Sequence, residues 1–79
     1  MANPIKTEVY EQIALGFFNP NHRNHYKLEE GLLEEANEVS TAETKKEKLD
    51  ELGDVLWYVT VMANQLDSSL KELMQKNFI

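Results

Sequence analysis

The chain has 79 residues, with 14 Asp and Glu against 8 Lys and Arg, which gives a formal net charge of −6. A chain of this length forms one domain at most and buries only a modest core. The absence of cysteine excludes disulfides and thiolate metal sites, and the acidic balance argues against a nucleic-acid partner. No apolar run approaches the roughly 20 residues that span a membrane, and no signal peptide is recognisable. We therefore expect a soluble, cytoplasmic protein with no membrane partner.

The first predicted helix starts at Asn3-Pro4, because Asn is a good N-cap and Pro suits the first helical position. Its apolar residues fall four apart on one face: Ile5, Val9, Ile13 and Phe17. Pro20 and several Asn residues then predict a loop over 18–25.

The second predicted helix covers about 26–39, with an apolar face of Leu28, Leu32, Ala36 and Val39. Thr44 followed by Glu47 reads as a capping box, which starts a third helix that continues to about residue 66. We expect its core stripe to consist of Leu49, Leu52, Leu56, Val59, Ala63 and Leu66. Ser69 with Glu72 starts a short fourth helix in the same way. The sequence therefore predicts an all-α protein of four helices.

Two pairs of carboxylates stand out, Glu35 with Glu38 and Glu51 with Asp54, each spaced three residues apart. That spacing places both members of a pair on one side of a helix, so two antiparallel helices bring all four together. The pattern arises readily by accident in an acidic chain, and solvated carboxylates are the alternative interpretation. However, Glu35 falls inside the apolar arc of its helix. Hard oxygen ligands without Cys or His favour Mg²⁺, or Mn²⁺, over zinc.

The segment 55–63 is apolar on nearly every side of its helix. Such a helix is covered on more than one face, and three other short helices offer little cover. A partner chain is the natural source of the rest. We therefore expect a protein that is at least a homodimer.

The motif Glu35-x-x-Glu38, twelve residues, then Glu51-x-x-Asp54, with its apolar neighbours over 33–39 and 51–58, resembles the signature of the MazG-type all-alpha nucleotide pyrophosphohydrolases and the related dUTPases and dCTPases. The resemblance covers about 26–77 of a single domain spanning 1–79. It implies a short four-helix bundle completed by dimerisation, as a homodimer or homotetramer. It also implies Mg²⁺-dependent cleavage of a nucleoside triphosphate to the monophosphate and pyrophosphate by a metal-activated water.

By this resemblance the metal ligands are Glu35, Glu38, Glu51 and Asp54, the catalytic residues are Glu34 and Glu38, and the candidate substrate-binding residues are Lys27, Tyr58 and Asn77. Trp57 and Tyr58 serve equally well as packing residues. Asn77 stands where many such chains begin a pattern Asn-x-x-Lys-x-x-x-Arg, whose basic residues handle the phosphates. This departure supports the alternative of a helical metal-binding or interaction module with weak or no turnover.

Overall fold

The computed structural model describes residues 4–16 and 27–78, and within them it contains four α-helices and no strand. These helices are α1 (Thr7–Gly16), α2 (Leu28–Thr41), α3 (Lys45–Gln65) and α4 (Leu70–Lys76). The predicted all-α class and the number of helices are confirmed. Asn3, Phe17 and the predicted loop 18–25 lie outside the described residues. In the described part of the chain, no helix is long and apolar enough to cross a membrane.

The starts of α3 and α4 are fixed by their N-cap side chains, as the sequence predicts. Thr44 Oγ1 accepts a hydrogen bond from the backbone N–H of Glu47 at 3.1 Å, and Ser69 Oγ accepts one from Glu72 at 3.0 Å. Each bond satisfies one of the backbone donors that a helix start leaves without a partner. The first helix begins three residues later than Pro4.

The pair α2–α3 forms an antiparallel hairpin that carries the predicted carboxylates. Near its connection, Lys48 Nζ donates to the backbone oxygen of Val39 at 3.1 Å. Further along, Gly31 on α2 lies against the ring of Tyr58 on α3. A Cβ at Gly31 would come within 2.5 Å of Tyr58 Cε1, so only glycine permits this approach of the two helices.

The first helix packs on α3 and α4. Trp57 Nε1–H on α3 donates to the backbone oxygen of Ala14 at 3.2 Å. The Glu11 carboxylate accepts hydrogen bonds from the N–H groups of Leu70 and Lys71 at the start of α4, the second at 3.2 Å. Among the described residues α1 and α2 do not pack against each other, so a stretch of α3 remains open between them.

The buried core of the described chain is small, and it consists of Ala14, Thr60, Val61 and Ala63. The expectation of a leucine core stripe on α3 is wrong for a single chain, because Leu49, Leu52 and Leu66 are 57%, 49% and 77% exposed. The apolar face of α1 is likewise open, with Ile5 58% exposed. The reason is that α3 turns its Glu51 and Tyr58 side to α2 and its Trp57 side to α1, so the stripe points away from both.

Asp67 ends α3 in the left-handed region, with φ of 58°. Its N–H donates to Asn64 O at 3.1 Å, and the N–H of Ser68 donates to Ala63 O at 2.8 Å. These two bonds form a Schellman motif in which Asp occupies the position that usually holds Gly. The turn sends α4 back toward α1.

Candidate metal site

Three glutamates converge where α2 faces α3. Glu35 and Glu38 project from successive turns of α2, and Glu51 projects from α3. Each offers a carboxylate oxygen, and the three oxygens lie within 4.8 Å of one another. The antiparallel packing of the hairpin thus brings together three of the four metal ligands predicted from the sequence.

Two of these carboxylates contain an oxygen with no partner. Glu35 and Glu51 are half-buried, and one oxygen of each, Oε2, is buried without a hydrogen bond. Burying a charged oxygen without compensation is costly, and three like charges at this separation repel one another. A cation among them would relieve both penalties.

The ionisation of the cluster reflects the same crowding. A hydrogen bond with the Glu38 carboxyl group, together with burial, raises the pKa of Glu51 to about 7. Burial is also the main cause that raises the pKa of Glu35 above its ordinary value of 4.5. Two carboxyl groups can hydrogen-bond only if one holds a proton, so a metal ion must displace a proton to enter.

The fourth predicted ligand, Asp54, lies at the edge of this cluster rather than inside it. It is exposed, and it is not among the three carboxylates that converge. Its negative charge still contributes to the raised pKa of Glu35, which places it nearby on the next turn of α3 after Glu51. A metal-ligand role for Asp54 remains a prediction.

Tyr10 on α1 is a neighbour of the cluster that the sequence did not indicate. Burial and the charge of Asp54 raise the pKa of Tyr10 above its ordinary value of 10.0. The bond between Trp57 and Ala14 sets this register, because Tyr10 lies one turn before Ala14 and Asp54 lies three residues before Trp57. Such a contact between distant segments leaves no local pattern in the sequence.

The other predicted site residues are placed less closely. Glu34 is exposed on α2 beside Glu35. Lys27 is 3.9 Å from Glu30 in an exposed ion pair, about 12 Å along the helix from Glu35. Tyr58 packs on Gly31, and its ring meets that of Trp57 edge-on, with 5.0 Å between centroids.

Asn77 caps the end of α4, a helix that contacts α1 and α3 but not α2 in the described structure. The structure therefore does not bring Lys27 or Asn77 to the glutamates.

The donor set suits a hard divalent cation. It consists of carboxylate oxygens, some of them unpartnered, without nitrogen or sulfur ligands among the described residues. Such oxygen sets suit Mg²⁺ and Mn²⁺, which retain waters and bind substrate phosphates through their remaining positions.

The model of the MazG nucleotide pyrophosphohydrolase domain matches residues 23–78 of the chain. The chain belongs to this family. The match contains the whole α2–α3 hairpin and α4, with all four predicted carboxylate ligands, and it leaves α1 outside. The membership makes the protein, at the level of the family, a nucleotide pyrophosphohydrolase-like hydrolase.

A curated relative is the Gene 37 protein of Mycobacterium phage L5, which is 44% identical over 46 residues. The aligned segment covers 58% of this chain and 40% of the phage protein, so the chain spans well under half of that relative's length. No solved structure gives a significant match.

Proposed function

We propose that the protein is a Mg²⁺-dependent nucleoside triphosphate pyrophosphohydrolase, which converts a (d)NTP and water to the (d)NMP and pyrophosphate. One observation carries the proposal. The stretch that matches the family contains three converging glutamates, two of which hold a buried, unpartnered oxygen. This combination is expected of a cation site that operates on phosphates.

In this proposal Glu35, Glu38 and Glu51 hold the metal, and Asp54 joins them from the edge. Mg²⁺, or Mn²⁺ in its place, supplies charge neutralisation for the phosphates and acidifies a water molecule. Glu34 and Glu38 are exposed carboxylates on α2, and each is able to accept the proton that the attacking water loses. The α–β phosphoanhydride bond breaks, and pyrophosphate leaves.

The direct test is pyrophosphate release from a panel of NTPs and dNTPs with Mg²⁺. We expect release with at least one nucleotide and a large loss in Glu38→Gln. Glu29→Gln is the matched control, because Glu29 is also an exposed glutamate of α2 but is outside the cluster. The absence of release with every nucleotide would refute the activity, and full activity in Glu38→Gln would refute the assignment of the site.

A second candidate is a helical metal-binding module without turnover. Two observations favour it, because Asp54 is outside the converging set and nearby lysines are engaged elsewhere. Lys27 pairs with Glu30, and Lys48 donates to Val39. For this module, Mg²⁺ raises the melting temperature through binding to the native state, while no nucleotide releases pyrophosphate.

We also propose that the chain assembles as a homodimer or homotetramer. The support is the apolar side of the hairpin that a single chain leaves uncovered, with Leu33 65%, Leu49 57% and Leu52 49% exposed. Contiguous exposed apolar surface of this kind marks association sites. Light scattering at micromolar concentration tests this, and Leu52→Glu is expected to dissociate the oligomer. A wild-type monomer would contradict the proposal.

A further inference from the structure

The first helix stands opposite α2 across the exposed edge of the carboxylate cluster. It is anchored to α3 by the bond from Trp57 to Ala14 and to α4 by the Glu11 carboxylate. Because α1 and α2 do not touch each other in the described chain, the space between them opens onto α3. The two exposed acids, Glu38 and Asp54, lie at this opening. A ligand of the cluster therefore has α1 as its neighbour.

The residue that α1 presents at this level is Tyr10. Its side chain is half-buried, yet its hydroxyl is not among the buried oxygens without a partner. The ring is therefore packed while the hydroxyl reaches solvent beside Asp54. That hydroxyl makes no hydrogen bond to any residue that the structure describes.

A phenol in this position is a hydrogen-bond donor at neutral pH. Burial and the negative charge of Asp54 both favour its protonated form. Carboxylates cannot donate when ionised, so the converging glutamates offer a phosphate chain no hydrogen bond of their own. Lys6 lies one turn before Tyr10 on α1 and adds a positive charge on the same side of the helix.

From this geometry we propose that α1 forms one wall of the substrate site, and that the Tyr10 hydroxyl donates a hydrogen bond to a phosphate oxygen of the nucleotide. The inference rests on the proposed function for the presence of a nucleotide. It assigns a substrate contact to a helix outside residues 23–78, the part of the chain that matches the family. The phosphates are the group within reach, because Tyr10 stands beside the acids that would hold their metal.

The test uses Tyr10→Phe, which keeps the packed ring and removes the hydroxyl. We expect binding of an α,β-methylene nucleoside triphosphate with Mg²⁺ to weaken about tenfold, as for the loss of one hydrogen bond to a charged group. Binding of Mg²⁺ alone, followed by its effect on the melting temperature, is expected to remain unchanged. A loss of Mg²⁺ binding would show that Tyr10 acts through Asp54 and would overturn the proposal.

The matched control is Thr7→Val, which removes a hydroxyl from the same helix on the side facing α4, where Thr7 contacts Met74 Sδ at 3.9 Å. Its nucleotide affinity is expected to equal that of the wild type. If Tyr10→Phe fails to fold, ¹³C-tyrosine spectra of the wild type provide the answer. Both the nucleotide analogue and inorganic tripolyphosphate with Mg²⁺ are expected to shift the Tyr10 signal.

The outcomes separate this inference from the proposed function. Turnover that is unaffected in Tyr10→Phe, without a shift of the Tyr10 signal, overturns the inference and leaves the activity intact. Analogue binding that depends on Tyr10, without turnover, supports the inference and refutes the activity. A response to the nucleotide analogue but not to tripolyphosphate would place Tyr10 against the nucleoside and overturn the phosphate contact. If the wild type neither binds nor hydrolyses nucleotides, both fail.

Discussion

Substituting Gly31 by alanine tests how tightly α2 and α3 approach beside the metal site. In an ordinary helix interior, Gly→Ala stabilises by about 0.5–1 kcal/mol. Here the added Cβ would lie 2.5 Å from Tyr58 Cε1 and 2.6 Å from its Cζ and hydroxyl oxygen. Carbon atoms in favourable contact are about 3.5–4.0 Å apart, so the ring or the helix must move.

The cost of that movement exceeds the helical gain. Overpacking of this kind costs about 1–3 kcal/mol, and displacing the ring from its edge-on contact with Trp57 adds about 0.5–1.5 kcal/mol. We therefore expect Gly31→Ala to lower the free energy of unfolding by about 1–3 kcal/mol, after subtraction of the gain from helix propensity.

Urea denaturation followed by circular dichroism at fixed protein concentration measures the effect. Gly53→Ala is the matched control, because a Cβ there meets nothing within 4 Å, and we expect it to stabilise by about 0.5–1 kcal/mol. In a Tyr58→Ala background, Gly31→Ala should become stabilising, because the clash is removed. Equal or greater stability of Gly31→Ala in the wild-type background would refute the close approach.

Three further predictions concern the site and the helix ends. Mg²⁺ at 100 times its dissociation constant should stabilise the native protein by about 2.7 kcal/mol, and calorimetry should show this effect lost in Glu51→Gln, whose retention would contradict the site. Because the folded pKa of Glu51 is raised from 4.5 to about 7, its contribution to the stability of the metal-free protein is complete below about pH 4.5 and is lost as the pH rises through 7; the apparent Mg²⁺ affinity should increase over the same interval, and titrations at pH 6 and pH 8 check this. Asp67→Gly should stabilise the fold by about 1 kcal/mol, because glycine adopts the φ of 58° without strain, whereas a loss of stability on urea unfolding would show that the Asp side chain itself supports the turn.

Local signals in the sequence were sufficient for the helices and for most of the site. The caps at Thr44 and Ser69 depend on residues only three positions apart, and such short-range chemistry is visible in a sequence. The convergence of Glu35, Glu38 and Glu51 follows from helical spacing and the antiparallel hairpin alone. These features needed no knowledge of distant contacts.

Features that depend on contacts between distant segments were not predictable. Tyr10 meets the site only because Trp57 binds Ala14, 43 residues away in the chain. The direction of the leucine stripe could not be read from its periodicity, since a periodic face shows that cover is needed but not which chain provides it. Leu49 and Leu52 therefore appeared as core residues, although the single chain leaves them about half exposed.

The attachment of Glu11 to the start of α4 has a consequence for how the molecule opens. The carboxylate joins segments 59 residues apart, and an ion pair from Glu8 to Lys71 at 3.7 Å runs parallel to it. The two short helices should therefore detach from the hairpin together, as one cooperative unit of lower stability. Hydrogen exchange should show the amides of α1 and α4 exchanging at one common rate, faster than those of α2 and α3. Each opening would remove Tyr10 from beside Asp54 while leaving the three glutamates assembled.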